Sequence, residues 1–313
     1  MKHWFTGMVL LLVLLSCGSE NGIDTAMVSS RVSRPPFNAN RAFQDLHTQV
    51  KFGPRIPGTD GHVLQLTWMV EELSKISDTL FLDEFEHVTT EGESLTLTNV
   101  IARFGLHKDR RILLLTHWDT RPKADQSQEI KDREKHVPGA NDGASGTSVL
   151  LELARMFHIQ APDWGVDLLF SDGEDYGPTT EDMFLGASYY ASGRGTENPP
   201  EFAILLDMVG DADPRFLPEA YSLEAAPQLV QRVWGLAANL GYQRYFPLNE
   251  TVRVMDDHVK LNDAGIPTIN IIDFEYGPSN SIWHTPNDIP ENTSAQTLLI
   301  VGDVVAEFVY RNR

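Results

Sequence analysis

Cysteine is nearly absent: Cys17 is the only one in 313 residues, so no disulfide can form within the chain. Basic residues are scarce as well, with 25 Lys and Arg against 44 Asp and Glu and a net charge of −19. No dense Lys/Arg cluster occurs anywhere, which excludes nucleic acid as a partner, because phosphate binding needs a basic footprint. Electrostatic docking to an anionic membrane surface is excluded on the same ground. The acidity reads as a contribution to solubility. There is no internal repeat, and the apolar run at residues 8–15 is too short to span a bilayer as a helix.

That run nonetheless carries information. Lys2 and His3 precede it and Ser16-Cys17 follows it, the layout of a signal peptide over residues 1–16. A lone cysteine straight after Leu14-Leu15-Ser16 resembles a bacterial lipoprotein signal. The resemblance implies cleavage before Cys17, acylation of its sulfur, and a tether over residues 17–36. The expected location is the bacterial cell envelope, with a lipid anchor in the membrane, facing the periplasm or on the outer membrane. An ordinary secretory signal with an incidental cysteine is the alternative.

The 313-residue chain is 42% hydrophobic and long enough to bury a full core. Apolar spacing predicts helices over 42–50, 61–76, 145–157, 226–240 and 294–310, with two prolines and two glycines in 52–59 breaking the first from the second. Short apolar runs predict strands over 80–85, 98–104, 111–116, 166–170, 202–206 and 268–272. The run Ile112-Leu113-Leu114-Leu115 reads as a strand buried on both faces. Strands alternating with helices imply a single α/β domain over 37–313, with a mixed, mostly parallel central sheet flanked by helices.

In open α/β sheets, sites form at the carboxyl ends of strands. Strand 111–116 runs into His117-Trp118-Asp119, strand 166–170 into Ser171-Asp172-Gly173-Glu174-Asp175, and strand 202–206 into Asp207. The loop Gly139-Ala140-Asn141-Asp142-Gly143 enters a helix, and Trp283-His284-Thr285 follows the last strand. Asp256-Asp257-His258 reads as an acidic loop. Each has a bland explanation by itself, since an Asp ahead of a helix is usually an N-cap and a lone His usually a surface group. Together, imidazole and carboxylate donors at one sheet edge suit a zinc ion. His47, His62, His87, His107, His136 and His158 read as surface or structural.

These motifs, in this order, resemble the zinc peptidase family M28 and, within it, the glutaminyl cyclases. His117 to Pro122, Gly139 to Gly146, Asp172 to Gly177, Leu206 to Gly210, Asp256 to His258 and Trp283 to Thr285 carry the resemblance, which extends from about Phe52 to the end. It implies a zinc exopeptidase-like fold and Zn2+ held by Asp142, Asp175 and His284, one ion per chain with a second not excluded. Asp175 stands where the family usually has Glu. Glu174 matches the general acid/base, and Asp207 and Asp257 match an acidic pair beside the substrate. Trp283 matches a pocket wall, with His117 and Tyr176 also assigned to substrate binding. If the shorter Asp175 fails to reach the metal, Glu174 becomes the ligand and the base moves elsewhere.

The resemblance implies one of two reactions. A glutaminyl-peptide cyclotransferase closes an N-terminal Gln to pyroglutamate and releases ammonia, and its partners are peptide or protein N-termini beginning with Gln. An aminopeptidase instead uses Glu174 to activate water against the first peptide bond, and its second metal is held at positions matching His117 and Asp207. Trp283 beside His284 and the Asp256-Asp257-His258 segment favour the cyclase. A peptide-binding lipoprotein with a decayed site is a third reading, against which the intact Asp142, Glu174 and His284 count.

Overall fold

The computed structural model describes residues 1, 31–193 and 199–312. The expected signal peptide and Cys17 lie outside those residues. Six strands form one sheet in the order β1-β2-β4-β3-β5-β6. The edge hairpin β1 (Thr79–Val88) and β2 (Ser94–Phe104) is antiparallel, and β2 runs antiparallel to β4 (Gly165–Ser171). From there β4, β3 (Arg111–His117), β5 (Phe202–Asp207) and β6 (Thr268–Ile272) are parallel. This is the mixed, mostly parallel sheet expected from the sequence.

The period of two along β3 sorts its side chains into two cores. Ile112 and Leu114 join the large core formed with α1 (Ala39–Lys51), α2 (Asp60–Ser74), α3 (Ala144–Ile159), α6 (Pro227–Asn239) and α8 (Ala295–Arg311). Leu113 and Leu115 face a smaller core with Ala187 and Leu261, from α4 (Leu185–Ala191) and α7 (Asp257–Asp263). The sheet is thus covered on both faces, which explains why β3, β4, β5 and β6 are buried at every position.

Three differences from the sequence reading have clear causes. The hairpin extends to residues 88 and 94, where polar residues alternate with buried apolar ones such as Leu95 and Leu97 and leave no apolar run to detect. Helices α4, α5 (Ala220–Ala225) and α7 are too short for a 3.6-residue period to register. Asp256-Asp257-His258 is therefore a helix start rather than a loop: the Asp256 carboxylate caps α7 by accepting from Asp257 N–H at 2.6 Å.

Residues 31–36, assigned to the tether, are held against α8. Arg31 Nη1 lies 2.8 Å from Asp303, Arg34 Nε 3.0 Å from Glu307, and Val32 N–H donates to Glu307 at 3.0 Å. No helix among the described residues is long and apolar enough to cross a membrane.

Candidate metal centre

The ends of β3, β4 and β5, and the loops after them, bring the candidate residues together. Asp142, Asp175 and His284 each place one ligand atom within 4.8 Å of the others. Asp142 and Asp175 lie 33 residues apart in sequence and His284 a further 109 on, so only the sheet edge unites them. His284 Nε2 is 3.4 Å from Asp142 Oδ2 and 3.2 Å from Asp175 Oδ1. All three side chains are buried.

Asp142 enters a second group with its other oxygen. Its Oδ1 lies 3.0 Å from His117 Nε2, and Asp207 Oδ1 lies 3.1 Å from the same nitrogen. His117, Asp142 and Asp207 therefore form a second cluster able to hold a cation. His117 is wholly buried among carboxylates. Asp207 joins His117, and the residue that stands with Asp257 at Glu174 is Asp256. Close packing accounts for the enclosure: a Cβ on Gly143 would come within 2.8 Å of both the His117 ring and its carbonyl.

Asp119 holds the backbone at position 175. Its two oxygens accept from Glu174 N–H and Asp175 N–H, both at 3.1 Å. The turn after β4 is thereby drawn toward the centre, so Asp175 reaches His284 while Glu174 points to Asp256 and Asp257. Asp175 is thus grouped with Asp142 and His284, and Glu174 with Asp256 and Asp257. Asp288 acts similarly on the other loop, accepting from the N–H groups of Asn141 (2.7 Å) and Asp142 (3.2 Å). No role was assigned to Asp119 or Asp288, although both lie in or beside the motifs. The only signal was an acidic residue next to a strand end, which is too common to act on.

Trp283 stacks on the His284 ring, with centroids 3.9 Å apart, and meets Phe274 edge-on at 5.0 Å. His284 itself sits at a φ of +50°, a conformation rare for a residue with a side chain. Tyr176 donates its hydroxyl to Glu93 at 2.8 Å. It lines a cleft of about 260 Å³ shared with Arg121 and Asp125, which adjoins the centre through those two residues.

The electrostatics show an excess of negative charge. Burial opposes protonation of His117, yet Asp119, Asp142 and Asp207 prevail and raise its pKa well above the ordinary value. Burial likewise opposes protonation of His284, and Asp175, Asp125 and Asp142 overcome it. Burial first, then the charges of Asp256, Asp175 and Asp257, push Glu174 well above the carboxylate range despite His117 nearby. Asp256 and Asp257 each rise to about 7, chiefly through burial and then through a neighbouring aspartate, Asp207 and Asp256 respectively. Asp175 Oδ2 is buried with no hydrogen-bond partner. A carboxylate oxygen so placed, beside an imidazole nitrogen and a second carboxylate, fits a zinc ion.

Residues 99–309 match the model of peptidase family M28. A glutaminyl-peptide cyclotransferase of Drosophila melanogaster is 26% identical over 270 residues, covering 75% of this chain and 70% of that one. The crystal structure of a glutaminyl cyclase from Bacteroides thetaiotaomicron, bound to N-acetylhistamine, is similar with a TM-score of 0.86 and 35% identity. It covers 90% of this chain and all of that one. A structure from the same organism described as a leucine aminopeptidase precursor matches with the same TM-score, identity and coverage. The resemblance drawn from the motifs is borne out, and the family implies zinc.

Proposed function

We propose that the chain, which belongs to peptidase family M28, is a zinc-dependent glutaminyl-peptide cyclotransferase acting on peptide or protein N-termini that begin with Gln. The observation that carries the reading is the meeting of Asp142, Asp175 and His284 around one point, with Glu174 beside them among Asp256 and Asp257. Similarity to glutaminyl cyclases over the full length of their solved chains supports the choice of reaction.

In this reaction the α-amine nitrogen bonds to the side-chain amide carbon of the same residue, and the carbon–nitrogen bond to the departing ammonia breaks. Asp142, Asp175 and His284 would hold a zinc ion, which would supply Lewis acidity toward the γ-carbonyl oxygen. Glu174 takes a proton from the attacking amine and returns it to the leaving nitrogen, a task that its raised pKa suits. Asp257 is held by the Ser171 hydroxyl through Oδ2 at 2.5 Å, while its Oδ1 is buried without a partner. That free oxygen is placed to accept from the substrate amine. Because nucleophile and electrophile belong to one molecule, orientation accounts for much of the rate, and Trp283 supplies an apolar wall for it.

A zinc aminopeptidase is the second reading, favoured by the intact His117–Asp142–Asp207 cluster, which could hold a second ion. Incubation of the protein with a Gln-initiated dipeptide separates the two. Ammonia release without a free amino acid is expected; a freed first residue would establish the aminopeptidase. Zinc measured per chain in the same sample gives the ion count, expected to be one. We propose also that Cys17 carries a lipid anchor in a bacterial envelope, tested by membrane partition of the chain before and after Cys17→Ala.

A further inference from the structure

The loop leaving β3 carries Arg121 and Asp125, to which the reaction above gives no role. Asp125 stands between two groups. Its Oδ2 accepts from Arg121 Nη2 at 2.5 Å and Nε at 3.2 Å. Its Oδ1 faces His284 Nδ1 at 3.5 Å, and both of these atoms are shut off from solvent without a hydrogen-bond partner. Arg121 in turn places Nη1 3.3 Å from Asp175 Oδ1, which is itself 3.2 Å from His284 Nε2. The four side chains close a ring that joins two candidate ligands 109 residues apart in sequence. Space for the guanidinium is provided by Gly177: at a φ of +59°, a Cβ there would lie 2.2 Å from Arg121 Nη1.

An imidazole that offers one nitrogen to a metal must carry its proton on the other, and a carboxylate at that second nitrogen fixes both the tautomer and the ring. We propose that Asp125 and Arg121 are positioning residues for the metal centre. Asp125 accepts the Nδ1 proton of His284 and so turns Nε2 toward the ion. Arg121 holds Asp175 Oδ1, the oxygen that faces His284 Nε2, and so fixes the carboxylate beside the ion. The inference rests on the zinc reading, and it differs from a bland role for the pair as a four-residue salt bridge that merely stiffens the loop.

The test measures the zinc Kd of the full chain by competition with a chelator, for the wild type, Asp125→Asn, His284→Ala and the double variant. Asp125→Asn is expected to weaken zinc binding about 10- to 100-fold, the usual cost of losing such a partner. In the His284→Ala background the same change is expected to alter Kd by less than about twofold, because the route through the imidazole is gone. An equal loss in both backgrounds, or none in Asp125→Asn alone, overturns the inference. Wild-type affinity in His284→Ala overturns His284 as a ligand, on which the inference rests, and is told apart by involving no change at Asp125.

Discussion

The two ends of the parallel sheet treat buried carboxylates in opposite ways. At the amino end of β3 and β4, Asp167 is matched by two guanidiniums, with Arg103 Nε at 2.9 Å and Arg111 Nε at 3.1 Å. Arg111 spends its remaining donors on the carbonyls of Gly105 and Phe104. Charge there is closed within the protein. At the carboxyl end, Asp142, Glu174, Asp175, Asp207, Asp256 and Asp257 are buried, with His117, His284 and Arg121 as the cationic groups among them. Burying charge without a partner is costly, so an arrangement of this kind implies a cation from outside. The same residue type is paired at one end and left in excess at the other, and the difference lies in whether the chain supplies its own counter-charge.

Four measurements would break or sharpen this contrast. The largest effect is expected at the open end: Glu174→Gln should retain zinc while lowering turnover by about 10²- to 10⁴-fold, the usual contribution of a proton-transfer group. Loss of zinc in that variant would mean that Glu174, not Asp175, is the ligand. At the closed end, Asp167→Ala should leave turnover intact but cost about 3–5 kcal/mol in denaturant unfolding, because Arg111 stays buried without its partner. Unchanged stability there would remove the contrast.

A third measurement concerns the zinc-free protein. Burial sets Asp256 and Asp257 at about 7, against about 4 for an unfolded carboxyl. The folded state therefore holds these protons more tightly than the unfolded one. The stability that these two groups contribute is full below about pH 4 and declines as pH rises through about 7. The thermal midpoint of chelator-treated protein should fall across that window, and Asp257→Asn should flatten the fall. A midpoint that climbs from pH 4 to 8 would contradict it. The smallest effect is expected from Trp283→Phe, which keeps a ring against His284: a change of a few fold in KM with kcat nearly constant, as befits a wall that binds ground and transition states alike.

Local chemistry made much of this legible. Continuous apolar runs marked β3, β4, β5 and β6 because strands buried on both faces need no polar alternation. Ionisable residues at strand ends and loop entries marked the site because such sheets place reactive groups there, and the family resemblance singled out Asp142, Asp175 and His284 among them. The grouping of those residues was decided only in three dimensions. Whether Asp207 stands with His117 or with Asp257 depends on the stagger of β3 against β5 and on where α7 begins, and neither is encoded in a short window. Asp119 and Asp125 escaped notice because one carboxylate in a loop looks like any other until its partners arrive from 55 and 159 residues away. Sequence determined which donors the chain possesses and that they lie at strand ends; tertiary packing decided which of them face one another, because distances in a folded chain are set by the sheet and not by position along it.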